Sequence, residues 1–199
     1  MSQYIIMTDS SCDLPAGLAA ELELEVLPLS VLIDGKSYVN YLDERDITFA
    51  DCYAALRAGR NATTSAVNVE AFVQAMEPHL QAGEDILYLG FSSALSGTYN
   101  AGAVAAQQLA EKYPERKLYA VDTLSASMGQ GLLVYLTVQQ KRAGATIEQA
   151  RDYAEAQKLH LCHWFTVDDL NHLHRGGRVS ATSAVLGTVL NIKPVLHMD

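Results

Sequence analysis

The segment GFSSALSGTYNAG, Gly90 to Gly102, brings four hydroxyl side chains (Ser92, Ser93, Ser96 and Thr98) and three glycines into thirteen residues. Hydroxyls at that density donate to an anion, supply a nucleophile, or cap and turn the backbone. The segment lies between an apolar run, Ile86 to Leu89, and an alanine-rich stretch, 101–106, so it joins the end of a strand to the start of a helix. In α/β folds ligands bind beyond the C-terminal ends of parallel strands, where helix-start N–H groups and the helix dipole favour negative charge. A second cluster, Thr63-Thr64-Ser65, reads as a loop just ahead of a helix capped by Asn68. Two hydroxyl-rich loops before two helices predict one shared site for a carboxylate or phosphate. Capping and turn formation is the competing explanation for each hydroxyl taken singly.

The nucleophile reading is the weaker one. GFSSA departs from the G-x-S-x-G elbow at Ala94, and Asp122, His160 and His163 do not form a distinct Asp-then-His order downstream. Neither G-x-G-x-x-G after the first strand nor G-x-x-x-x-G-K-[ST] is present, so no nucleotide cofactor is expected. His160, His163, His172 and His174 invite a zinc reading. His160 and His163 would share a helix face, but Trp164 to Val167 reads as extended and Cys162 points elsewhere, so packed or surface histidines fit better. RGGR, Arg175 to Arg178, pairs a glycine turn with two guanidinium groups. It suits the mouth of an anion site or a docking surface, and equally a solvated turn.

The elements that position these groups alternate in type. Gln3 to Met7 reads as a buried strand, Pro15 opens a helix over Ala16 to Leu24, and Glu25 to Ile33 reads as one strand that turns at 34–36 to a partner near Tyr38-Val39. Thr48 with Asp51 resembles a capping box. Val69, Phe72, Val73, Met76 and Leu80 form one apolar helix face. Strands at 86–89 and Leu118 to Val121 alternate with helices over about 98–113 and 126–143. Thr146 and Gln149 open a further helix ending near Lys158, and Asp168-Asp169 reads as a cap for a short one. This order predicts an α/β fold with a mostly parallel sheet flanked by helices over residues 1–160. Residues 161–199 read as the beginning of a second α/β domain, with a helix at Leu186 to Leu190 and a strand at Lys193 to Val195.

Composition narrows the partners. With 199 residues, 49% of them apolar, the chain can bury a core, and a net charge of −9 argues against nucleic acid and anionic membranes. Three scattered cysteines suit a reducing cytoplasm. The N-terminus lacks the pattern of a signal peptide, and no apolar run is long enough for a transmembrane segment.

MTDSSCDLP (7–15), TTSAV (63–67), SSALSGTYNAG (92–102), VDTLSASMGQG (121–131), LHRGGRVS (173–180) and LGTVLNIKPVL (186–196) together resemble the DegV family. The resemblance implies a non-enzymatic protein that binds a long-chain fatty acid such as palmitate in an apolar tunnel. It also implies a possible partner in the ATP-binding subunit of a fatty acid kinase. It implies that Thr64 and Ser96 hold the carboxylate, that Ser65 and Ser93 assist, and that Arg175 and Arg178 lie near the head group or the docking face. Thr64-Ser65-Ala66-Val67 departs from the family's T-S-Q-P. Family members extend about a third further, and that extension supplies a histidine near the carboxylate. Val31 to Ile33, Met128 to Val138 and Val185 to Leu190 are candidates to line the tunnel or to form plain core.

Overall fold

The computed structural model describes residues 3–167, 170–179 and 195–197. Residues through Leu161 form one unit, and Cys162 begins another.

The first unit is built on a parallel sheet of β2 (Glu25–Leu27), β1 (Tyr4–Asp9), β6 (Asp85–Gly90) and β7 (Leu118–Asp122), in that spatial order. Alternation along the central strands sends side chains into two cores. Ile6, Leu87 and Leu89 join Leu133, Val134, Val138 and Ala150, from α5 (Met128–Arg142) and α6 (Ile147–Gln157). Met7, Ile86 and Tyr88 join Phe72, Met76, Ala105 and Leu109, from α3 (Val69–Gln81) and α4 (Thr98–Lys112). Helices therefore cover both faces, and every residue of β6 is buried, as a doubly covered parallel strand requires. Asn68 caps α3 through the Ala71 amide, and Thr146 with Gln149 forms a full capping box on α6.

The predicted strand over Glu25 to Ile33 is two strands. Pro28 has no N–H to donate, and at that point the chain leaves the parallel sheet. It continues as β3 (Leu29–Ile33), the centre of a small antiparallel sheet between β4 (Lys36–Asn40) and β5 (Ala62–Ser65). The segment Thr63-Thr64-Ser65, expected as a loop, is therefore strand: Val31 pairs with Thr64 and Ser30 with Ser65. Its small polar side chains hide it from a hydrophobic-periodicity reading, and all three are exposed. A short helix after Pro15, α1 (Ala16–Glu21), and α2 (Phe49–Arg57), capped by Thr48, complete this unit.

In the second unit β8 (Trp164–Phe165) pairs antiparallel with β9 (Leu196–His197), and α7 spans Leu170–Arg175. Gly177, at φ 78°, ends α7: its amide donates to the His174 carbonyl at 2.9 Å, and the Arg178 amide donates to Leu173 at 2.9 Å. That is a Schellman closure, which accounts for Gly177 of RGGR. Asp168-Asp169 and the expected helix at Leu186 to Leu190 lie outside the described residues, as do Lys193-Pro194.

Candidate functional site

The strand order places a topological switch between β1 and β6: the chain moves outward one way to β2 and the other way to β7. At the C-terminal edge β1, β6 and β7 end at Asp9, Gly90 and Asp122. Gly90 pairs directly with Asp122, and the β1–β6 register, with Met7 opposite Tyr88, runs on toward Asp9 beside Gly90. The hydroxyl-rich loop thus leaves the sheet between two acids.

Both acids grip it by its backbone. The Phe91 amide donates to Asp9 Oδ2 at 3.1 Å, and the Ser93 amide donates to the two Asp122 oxygens at 3.2 and 3.3 Å. Between them the Ser92 amide donates to the Ser125 carbonyl at 3.0 Å. The Leu95 and Ser96 amides then turn back onto the Ser92 carbonyl at 3.0 and 3.1 Å. Ser96 Oγ accepts from the Thr98 amide at 3.2 Å and lies 3.0 Å from Thr98 Oγ1. Among the described residues the amides of Ala94, Gly97, Tyr99 and Asn100 have no acceptor, so the start of α4 retains donors for an anion.

The neighbouring loop is held in the same way. Thr123 donates its hydroxyl to the Gly90 carbonyl at 2.7 Å, and the Leu124 amide donates to Asp122 Oδ1 at 3.1 Å. Leu124 and Ser127 both sit at φ 51°, a left-handed conformation that side chains resist and that tends to mark functional loops.

Asp9 is fully buried and accepts four hydrogen bonds. Oδ1 takes the Ser11 amide at 3.1 Å; Oδ2 takes Tyr88 Oη at 3.1 Å, the Phe91 amide and Gln130 Nε2 at 3.3 Å. Burial pushes its carboxyl above the ordinary range, and the bonds from Phe91, Ser11 and Gln130 pull it back. Burial, and then the Asp9 charge, raise Tyr88 well above a normal phenol, so Tyr88 stays protonated and donates.

Of the residues expected to hold a ligand, Ser93 and Ser96 lie on the pinned loop, both half-buried. Thr64 and Ser65 are successive in β5, so their side chains leave opposite faces of the small sheet: Thr64 beside Val31, Ser65 beside Ser30. The small sheet is tied to the end of β1, because Ser10 Oγ accepts from the Leu29 amide at 3.0 Å and from Asn40 Nδ2 at 3.2 Å. Among the described residues no hydrogen bond joins Thr64 or Ser65 to Ser93 or Ser96. Arg175 ends α7, and Arg178 turns its guanidinium back onto the Gly176 carbonyl.

No histidine bonds to Ser92, Ser93 or Ser96 among the described residues, so those serines have no imidazole base there. His160 Nδ1 contacts the Ala156 carbonyl at 2.7 Å, and His174 Nδ1 the Val179 carbonyl at 3.2 Å. Among the described residues no group of three or more His, Cys, Asp or Glu side chains could hold a metal ion, and no helix is long and apolar enough to cross a membrane.

The residues that sequence reasoning missed are Asp9, Asp122 (weighed only as a triad member) and Gln130, while Thr98 was counted among the loop's hydroxyls without a role of its own. A faint signal existed: MTDSS and AVDTLS each end an apolar strand with Asp followed by a hydroxyl residue.

The fold and site define an α/β protein whose hydroxyl-rich loop is pinned at the switch point of a parallel sheet. The family model described as "Uncharacterised protein, DegV family" matches residues 3–199, and the chain belongs to the DegV family. A DegV domain-containing protein of Clostridium perfringens is 45% identical over 199 residues, covering 100% of this chain and 68% of the relative. Among solved structures, one described as fatty acid binding of a DegV family protein from Thermus thermophilus has a TM-score of 0.84 at 32% identity, covering 99% of this chain and 68% of that one. A stearic acid-binding protein from Eubacterium ventriosum has a TM-score of 0.82 at 27% identity, covering 99% of this chain and 67% of that one.

Proposed function

We propose that this protein binds a long-chain fatty acid such as palmitate, holding the carboxylate on Ser96 and Thr64 and burying the tail in an apolar channel. The observation that carries the reading is the likeness, over 99% of the chain, to the Thermus thermophilus protein described as fatty acid binding. The loop geometry supports it. Ser96 Oγ already accepts the Thr98 amide, and when the Thr98 hydroxyl is the donor of the hydroxyl pair the Ser96 proton is free for a carboxylate oxygen. The unpaired amides at the start of α4 are donors for the same charge. Ser93 lines the loop, and Ser65, Arg175 and Arg178 are secondary candidates.

The tail supplies most of the affinity. At about 0.8 kcal/mol per buried CH₂, a chain of about 14 methylenes yields roughly 11 kcal/mol gross, before the entropy of binding is subtracted. In this reading the protein is a cytoplasmic carrier with no catalytic group of its own. It presents the carboxylate to the ATP-binding subunit of a fatty acid kinase.

Mass spectrometry of the ligand carried through gentle purification tests the reading. A fatty acid in stoichiometric amount is the expected result, and a phosphorylated metabolite in its place overturns it. Phosphorylation of the bound acid by an added kinase subunit and ATP tests the carrier role, which fails if free and carried acid react equally.

A further inference from the structure

We infer that Asp9 is a positioning residue for the carboxylate site: by holding the Phe91 amide across the β1–β6 switch point, it sets the Ser93–Ser96 loop in its ligand-ready form. This rests on the fatty acid reading for its functional consequence, though not for its structural one.

Three observations carry it. Asp9 is 0% exposed, and its four donors come from four places: its own turn (Ser11), β6 (Tyr88), the hydroxyl loop (Phe91) and α5 (Gln130). None of those donors is a cation, so among the described residues the buried carboxylate has no counter-charge, which is a costly way to fill space. Phe91 is the first residue after Gly90, and its amide is the bond that joins the loop to β1. From there the Ser92 carbonyl gathers the Leu95 and Ser96 amides, which sets the direction of the Ser96 hydroxyl. Asp9 does not itself bind the ligand: its oxygens are occupied by donors, and its charge has the wrong sign for a carboxylate.

Gln130 adds a consistent detail. Its Nε2 donates to Thr8 Oγ1 at 3.0 Å and to Asp9, while its Oε1 is buried with no hydrogen-bond partner among the described residues. The amide spends its donor on Asp9 and leaves its acceptor unused, the orientation dictated by a carboxylate opposite. An asparagine at position 9 has one acceptor oxygen where Asp9 has two, so either the Ser11 or the Phe91 amide loses its partner.

The test compares Asp9→Asn with Tyr88→Phe, which removes a different donor from Asp9 and leaves the Phe91 bond in place. Backbone hydrogen exchange over residues 91–98 is measured without ligand, and affinity is measured with a fluorescent long-chain fatty acid. We expect Asp9→Asn to speed exchange at Phe91 to Ser96 and to weaken the probe about tenfold, the loss of one charge-assisted hydrogen bond. Tyr88→Phe should change neither, whatever it does to the melting temperature. Unchanged exchange in Asp9→Asn overturns the inference. So does faster exchange with unaltered affinity, or an equal loss of affinity in Tyr88→Phe. If the unsubstituted protein does not bind the probe, the fatty acid reading fails, and the exchange comparison alone decides whether Asp9 holds the loop. Should Asp9→Asn not fold, Asp9→Glu, which keeps the charge and shifts it by one methylene, is read in the same way.

Discussion

Ser96 and Thr98 face each other across Gly97 with their hydroxyl oxygens 3.0 Å apart, and the Thr98 amide donates to the Ser96 oxygen at 3.2 Å. Thr98 is fully buried, so Ser96 is its hydroxyl's natural partner. When Ser96 donates outward to an anion, Thr98 donates to Ser96, and each bond polarises the next. Thr98→Val keeps the shape and removes that donor. Fatty acid affinity should fall several-fold, the worth of about 1 kcal/mol, with little change in the circular dichroism spectrum. An unaltered dissociation constant rejects the relay.

Ser96→Ala should cost more, because it removes both the ligand donor and the acceptor for the Thr98 amide. Loss of one such hydrogen-bond acceptor costs about 1 kcal/mol of stability, so the denaturation midpoint should fall along with lipid retention. Thr64→Ala, on an exposed strand, should lower retention without that stability change. Because Thr64 and Ser65 leave opposite faces of the small sheet, Ser65→Ala should lower retention less than Thr64→Ala does. A reversed outcome, with Ser65 critical and Thr64 silent, would show that the other face meets the ligand.

Much of this architecture was legible because its signals are local. The Asn68 cap, the Thr146–Gln149 box and the apolar face of α3 each rest on side chains three or four residues apart. The split at Pro28 was not, since the apolar run continues through it and only the missing N–H marks the change of sheet. β5 escaped because an exposed strand of small hydroxyl residues carries no alternation to read. At the site, Ser93 and Ser96 stood out through their density. Asp9 and Asp122 did not: an acid at the end of a strand looks like an ordinary loop residue until the fold brings a neighbouring strand's loop against it.

Gly131 shows how closely α5 approaches the turn that follows Asp9. A Cβ there would lie 2.6 Å from the Cys12 carbonyl oxygen and 3.0 Å from Leu14 Cδ2, and the first of these is backbone that cannot swing aside. Gly131→Ala should therefore destabilise the protein by about 1–3 kcal/mol in urea denaturation. Gly17, in α1, has nothing within 4 Å of where a Cβ would stand, so Gly17→Ala should be neutral or stabilising by up to about 1 kcal/mol. Equal effects at the two sites would mean that helix propensity alone governs them.

The raised pKa of Asp9 gives a pH signature of known sign. Burial lifts the folded value above 3.8, so in the interval above 3.8 the native state holds more protons than the unfolded chain. Stability from this group is complete below the unfolded pKa and is lost as pH rises through the folded one. Other carboxylates act in the opposite sense: Lys117 holds Glu148 down to about 2, and Arg60 lowers Asp34, so both lose stability on acidification. They are exposed pairs common to every variant, and they cancel when the parent is compared with Asp9→Asn. Unfolding free energies measured from about pH 7 to about pH 4.5 should therefore show the parent gaining on Asp9→Asn as the pH falls. A gap that stays constant, or closes in the other direction, means that the four donors outweigh burial and that Asp9 is held as a fully stabilised anion.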